Sequence, residues 1–225
     1  MSKQPYVGLR PFERDEHEIF FGREKCVDEL LDLLPTSNFF AVIGEAYCGK
    51  TSLVRCGLEA RLLQGNDADS IVHWHVANFR PDSQPFFQFA DSLLKPEALG
   101  DYFLDEFENL TTAQYFLRQN LTQSSLSLHT LLDRTPLPKG HKLLLVCDQF
   151  EELFHIWQYD KKKAKAFVNL LIDSSRPHPL KEVRAHDIYL VITMRSAYLD
   201  KVPIFPKLEE AIRSNIYLTP RLRKD

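Results

Sequence analysis

Residues 44 to 51, Gly44-Glu45-Ala46-Tyr47-Cys48-Gly49-Lys50-Thr51, satisfy the pattern G-x-x-x-x-G-K-[ST]. A loop of this kind, opening directly into a helix, aims backbone N–H groups at an anion while the helix dipole favours negative charge at the same end. The chemistry is phosphate binding. Lys50 would reach the β- and γ-phosphates of a nucleotide, and the Thr51 hydroxyl would help to hold Mg2+. Ser52 and the residues between the two glycines complete the expected cradle for ATP. A plain glycine turn before a helix is the alternative, and the apolar run Phe39 to Ile43 leading straight into Gly44 argues against it.

A second segment, LLLVCDQFEELF, places Asp148 at the end of an apolar run. In an open α/β sheet the carboxyl ends of the strands gather the ligand groups. A carboxylate there suits Mg2+ held through its water shell, while the alternative is an Asp capping a helix that begins near Phe150. Hydrolysis would also need a group to orient or deprotonate water. Glu151 ranks first for that role and Glu152 second; solvated acids at a helix start are the alternative. The position directly after Asp148, a glutamate in many ATPases of this class, is Gln149, so either Glu151 takes the role or turnover is slow. Arg195 ends the run IYLVITMR, where a cation could sense or stabilise a γ-phosphate.

Other residues qualify these assignments. Glu45 puts a carboxylate in a loop meant for a triphosphate. At about 8 Å and an effective dielectric near 20, one unit charge repels another by roughly 2 kcal/mol, or about 30-fold in affinity, unless the side chain points outward. Tyr47 is bulky where a small residue is common. His73 and His75 flank Trp74 at strand spacing and project to one side; with no third ligand evident nearby, a structural role is expected rather than a metal site. The KKKAK run at 161 to 165 reads as a solvated helix face more than a nucleic-acid site.

The elements that must position these residues follow from periodicity. Val27, Leu30, Leu31 and Leu34 mark an amphipathic helix stopped by Pro35. Strands are expected at Phe39 to Ile43, Ile71 to Phe79, Lys142 to Cys147 and Ile188 to Met194, with a weak fifth from Asn215 to Leu218. A helix closed by Gly65 follows Lys50, residues 84 to 94 look helical, and 101 to 134 hold two or three short helices. Strands alternating with helices predict an α/β fold, a three-layer P-loop NTPase sandwich with a mostly parallel sheet of about five strands. The 225 residues suffice for one such core. With 28 basic and 31 acidic residues, net charge gives no direct evidence for nucleic acid or an anionic membrane as partner. Cys26, Cys48, Cys56 and Cys147 form no C-x-x-C pair, the start lacks the apolar run of a signal peptide, and no segment is long and apolar enough to span a bilayer. A cytoplasmic protein in a reducing compartment is expected.

With these residues in hand, the chain resembles the novel STAND NTPase family, signal-transduction ATPases of the P-loop class, from Pro5 to about Leu218. The opening PYVGLRPFERDEHEIFFGREKCVDELLDLL is similar to that family's N-terminal signature, and WHVANFRP to its second strand with the Arg-Pro exit at Arg80 and Pro81. The resemblance implies that Gly22 and Arg23 lie against the adenine or ribose. It carries the phosphate loop onto Gly44 through Ser52, the magnesium segment onto residues 148 to 154, and the arginine sensor onto Arg195. It divides the chain into an arm and helix, 1–37, and an NTPase core, 38–225. It further implies a regulated ATP switch serving a sensor and an effector in signalling or defence, self-associating or partnered by further domains of a longer protein. A non-hydrolysing nucleotide-bound scaffold is the main alternative, and a metabolic kinase is a weaker one.

Overall fold

The computed structural model describes residues 8, 10–66, 71–104, 107, 109–177 and 187–221. Pro5, Tyr6, Val7 and Leu9 of the N-terminal signature lie outside the described residues.

Five strands, β1 (Phe39–Gly44), β2 (His73–Phe79), β3 (His141–Cys147), β4 (Asp187–Arg195) and β5 (Ile216–Leu218), form one sheet in the order β2-β3-β4-β1-β5. Every pairing is parallel. β2 begins at His73, two residues later than the apolar pattern suggests, because Ile71 is 90% exposed and contributes nothing to the sheet's faces.

The alternation of side chains across the pleat divides the apolar runs between two cores. Phe39, Ala41, Ile43, Leu143, Leu145, Leu190 and Ile192 face one; Phe40, Val42, Leu144, Val146 and Val191 face the other. The first core is covered by α4 (Pro85–Leu93), α6 (Leu110–Leu121), α7 (Ser127–Arg134), α8 (Glu152–Tyr159), α9 (Lys161–Ser175) and α10 (Pro206–Ile212). The second is covered by α1 (Glu24–Leu33) and by the long helix after the phosphate loop. Helices therefore lie on both faces of a parallel sheet, the three-layer architecture expected of strands that are continuous apolar runs.

The helix after the loop is continuous but not uniform: α2 (Lys50–Ser52) passes into a π-helical stretch, Leu53–Glu59, and then into α3 (Ala60–Gln64). The region 101 to 134 holds α5 (Gly100–Phe103) together with α6 and α7. Among the described residues no helix is long and apolar enough to cross a membrane.

Register then sets the site. β1 and β4 pair so that Gly44 lies opposite Arg195, and β2 and β3 so that Phe79 lies opposite Cys147. The carboxyl ends of the strands thus bring Gly44, Asp148, Arg195 and Arg80 to one edge of the sheet.

Candidate functional site

Gly49 turns the loop into α2 with φ of 89°, a left-handed backbone that side chains strongly disfavour and glycine adopts freely. Tyr47 also takes a positive φ, 61°, and its ring is 90% exposed, so its bulk leaves the loop. The Glu45 carboxylate points outward and pairs with the Arg221 guanidinium. That arrangement relieves the repulsion its sequence position suggests, because the charge is neutralised away from the anion cradle. By position the first amides of α2 have no carbonyl four residues back to bond to, which is what makes such a helix start receptive to an anion.

Lys50 is buried and folds back on its own loop, donating from Nζ to the Gly44 carbonyl at 3.1 Å and the Glu45 carbonyl at 2.7 Å. Arg23 clamps the same loop from outside. It is 5% exposed and donates to the Cys48 carbonyl at 2.9 Å and to the Pro220 carbonyl at 2.8 Å. Gly22, just before it, has φ of 78° and precedes α1.

Asp148 leaves β3 beside Phe79, whose carbonyl accepts its backbone N–H at 2.9 Å. Its carboxylate is 1% exposed. Oδ1 accepts from the Thr51 hydroxyl at 2.9 Å and from the Thr193 hydroxyl of β4 at 2.7 Å. Oδ2 faces two cations, Arg80 Nε at 3.3 Å and Arg55 Nη2 at 3.6 Å. The helix after β3 starts at Glu152, not near Phe150, and the Asp148 side chain is turned to these partners.

Thr51 and Asp148 offer the oxygen donors that a hard divalent cation takes. The Thr51 hydroxyl donates to Asp148 Oδ1 at 2.9 Å, an arrangement in which the hydroxyl would ligate Mg2+ directly and the carboxylate would hold it through its water shell. The residues present fit the ion.

Glu151 and Arg195, assigned separately from the sequence, meet as a pair. Arg195 Nε donates to Glu151 Oε1 at 2.8 Å, and its guanidinium lies 4.9 Å from the Tyr198 ring centroid while bonding that hydroxyl at 3.1 Å. Glu151 is 4% exposed. Glu152 points elsewhere and accepts the Asp82 backbone N–H at 2.9 Å; burial pushes its carboxyl above the usual range, partly offset by that bond and by Arg80. Gln149, held in a positive φ of 56° with its backbone N–H on the Thr193 hydroxyl at 2.9 Å, links the two sides. Its amide, oriented to satisfy both ends, donates to Glu152 at 3.1 Å and accepts from Arg80 at 3.2 Å.

Sequence reasoning missed Thr193, Arg55 and the contact between Arg80 and Asp148. Thr193 stands two residues before Arg195 on the same strand and so was open to inspection; Arg55 had no signal beyond its place one turn after Thr51. The histidines do find a third imidazole, His141, with His75 Nε2 and His141 Nδ1 2.9 Å apart. Among the described residues no group of three or more His, Cys, Asp and Glu has the geometry to hold a metal ion. Lys161 of the KKKAK run lies over the Trp157 ring, 5.8 Å from its centroid, and Lys163 pairs with Asp160 at 3.6 Å.

A family model described as novel STAND NTPase 1 matches residues 5–225. No curated protein matches the chain by sequence. Among solved structures, the chain is similar to the ORC2 protein of Aeropyrum pernix in ADPNP-ADP complexes, with a TM-score of 0.52 and 13% identity. It is also similar to a Walker-type ATPase of Pyrococcus abyssi, with a TM-score of 0.50 and 16% identity. These matches cover 96% and 97% of this chain but 51% and 58% of the two neighbours, so the chain spans little more than half their length. At such identities the likeness concerns the fold.

Proposed function

The chain belongs to the novel STAND NTPase 1 family, an ATPase-type P-loop domain, and from that premise we propose that it is a regulatory ATP switch with slow, Mg2+-dependent hydrolysis. The observation that carries the proposal is the convergence at one sheet edge of the loop ending in Lys50, the Thr51–Asp148 pair and the Glu151–Arg195 pair.

In this reading Gly44 to Ser52 cradle the phosphates, and Lys50 exchanges the Gly44 and Glu45 carbonyls for phosphate oxygens. Thr51 and Asp148 hold Mg2+, which when bound neutralises charge on the phosphates. Gly22 and Arg23 lie on the base side, Arg23 fixing the loop by its hold on the Cys48 carbonyl. Glu151 orients the attacking water and takes its proton, with Glu152 the second candidate. Arg195 stabilises the terminal phosphate once it leaves Glu151. Slow turnover follows from two features: Gln149 stands where a base would follow Asp148, and Glu151 is occupied by Arg195 at rest. Residues 1–37 act as an arm on the 38–225 core. The nucleotide state is read by other domains of a longer protein or by further copies of the chain, in signalling or defence, in the cytoplasm.

The second reading is a scaffold that binds nucleotide without hydrolysing it. The ion pair between buried Glu151 and half-exposed Arg195 favours it, since a base locked in that pair would not reach water. Two measurements on the purified chain test these readings: ATP affinity and phosphate release. Lys50→Ala is expected to lose ATP binding, and a variant that binds like the parent would sink the assignment of the loop. Glu151→Gln is expected to keep binding and release phosphate at least about tenfold more slowly. Loss of turnover in Glu152→Gln alone would move the base to Glu152, and no release from the parent would leave the scaffold.

A further inference from the structure

We infer that Arg55 and Arg80 are specificity-determining residues that make this site prefer a nucleoside triphosphate to a diphosphate, an inference that rests on the nucleotide-binding reading of the same site. The two oxygens of Asp148 have partners of different chemistry. Oδ1 takes the Thr51 and Thr193 hydroxyls, at 2.9 and 2.7 Å, while Oδ2 faces the guanidinium groups of Arg80 and Arg55, at 3.3 and 3.6 Å. Two cations thus share one carboxylate that is itself 1% exposed. Neither is needed to fix Asp148, whose backbone is held by Phe79 and whose Oδ1 is held by the two threonines.

Each arginine also has a second acceptor waiting. Arg80 Nη2 reaches the Gln149 side-chain oxygen at 3.2 Å, and Arg55 Nη1 reaches Glu13 of the arm at 3.2 Å. Their side chains are 43% and 22% exposed, and Arg55 also borders the cavity lined by Glu13 and Glu59. They come from different elements on the β2 side of Asp148: Arg80 from the exit of β2 and Arg55 from the π-helical stretch. Arg195, by contrast, is already engaged by Glu151 and Tyr198.

The electrostatic consequence is conditional. A dication taken up by Thr51 and Asp148 meets two guanidinium groups within contact distance of the same carboxylate, and like charges so placed oppose its entry. An added phosphate group reverses the balance, because guanidinium forks bind phosphate oxygens bidentately and lose little on leaving a carboxylate. Mg2+ with a triphosphate is therefore favoured over Mg2+ with a diphosphate, which brings the same dication with one negative charge and one phosphoryl group fewer for the guanidinium groups to bind. The two arginines turn a general phosphate site into one that reads the terminal phosphate.

Competition binding with a fluorescent nucleotide, in Mg2+, gives the Kd of a non-hydrolysable ATP analogue and of ADP for the 225-residue chain and its variants. The parent is expected to favour the triphosphate. In Arg80→Gln and Arg55→Gln the ratio of the two Kd values is expected to fall about tenfold each, the equivalent of about 1.4 kcal/mol, with the diphosphate bound as well as before or better. Retained ADP binding shows that a variant is folded, and Arg80→Lys, which keeps the charge, is expected to keep a larger share of the preference than Arg80→Gln. A ratio within twofold of the parent in both Gln variants overturns the inference, as does a parent with no preference. If Lys50→Ala also bound both nucleotides like the parent, the reading of the loop itself would fall; if Lys50→Ala abolished binding, the failure would belong to the arginines alone.

Discussion

Arg23 keeps a charged guanidinium at 5% exposure and commits it to two carbonyls, Cys48 in the phosphate loop and Pro220 just beyond β5. Charge-assisted bonds of this kind contribute about 1.5–3 kcal/mol each, and the carbonyls they satisfy belong to segments far apart in sequence. The loop's shape therefore depends on a residue outside it. Arg23→Ala is expected to cost about 2–4 kcal/mol in denaturant unfolding and to weaken ATP binding about tenfold. A loss of affinity with unchanged stability would mean instead that Arg23 acts on the nucleotide directly. The resemblance that placed Arg23 at the nucleotide could not reveal this, because the partners are main-chain carbonyls that carry no side-chain signature.

Two elements place strain or charge where sequence patterns are silent. In the π-helical stretch Leu53–Glu59, Gly57 lets α1 approach closely: a Cβ there would stand 2.5 Å from Val27 Cγ2. Gly57→Ala gains about 1 kcal/mol in helix propensity but overpacks at a cost of about 1–3 kcal/mol, so net destabilisation is expected. Adding Val27→Ala should recover part of it, with a coupling of about 1 kcal/mol in a double-mutant cycle; strict additivity would show that the contact relaxes freely. At the other end of the sheet, His75 and His141 share a hydrogen bond at 2.9 Å, and Tyr102 contacts the same His141 nitrogen at 3.3 Å. Burial first, then a neighbouring imidazole, His141 beside His75 and His73 beside His141, holds both below the usual histidine value. For a base whose folded pKa is depressed, the folded state binds fewer protons than the unfolded one, so stability is complete above about pH 6.5 and falls as pH drops below it. The Tm of the parent should decline between pH 7.5 and 5.5 by roughly 2–4 °C for each kcal/mol lost, and His75→Gln should flatten that decline. Equal slopes would remove the pair from the account. The strands themselves were legible because Phe39 to Ile43 and Leu143 to Cys147 are apolar on both faces, a pattern only a doubly covered strand requires. Their order was not, since periodicity states which face a residue takes and not which strand lies beside it. For the same reason Asp148 stood out as a candidate while its cations did not: Arg80 reaches it from the exit of β2, which pairs with β3, and Arg55 from the helix after the loop.

At the scale of the molecule, the segment ahead of α1 joins the rest of the chain by charge as well as by the packing of Phe20 against the second core. Glu13 pairs with Arg55 at 3.2 Å, the Phe12 backbone donates to the Ser52 hydroxyl at 3.1 Å, and Arg14 pairs with Glu59 at 3.0 Å. Glu13, Arg14, Arg55 and Glu59, together with Asn78, border a cavity of about 650 Å³. Glu59 lies on the helix that begins at Lys50 and is 1% exposed, so whatever disturbs the arm reaches the phosphate loop's own helix. Burial raises the Glu59 carboxyl above its usual range, against the opposing pull of Arg14 and Asn78. A carboxyl raised on folding contributes stability that is present at low pH and lost as pH rises through its folded value. Arg14→Ala removes the strongest opposing charge and leaves a buried carboxylate without its ion pair, a change that costs about 3 kcal/mol when the remaining charge must stay ionised. That cost should therefore be near its full size at pH 7.5 and smaller at pH 5, where Glu59 can take up a proton. Glu59→Gln on the Arg14→Ala background removes the stranded charge and should restore stability at pH 7.5. Urea unfolding of the parent and the two variants at both pH values tests the linkage. A cost for Arg14→Ala that is the same at pH 5 and pH 7.5, unrelieved by Glu59→Gln, would show that the arm is held by packing and that its charges do not couple it to the nucleotide helix.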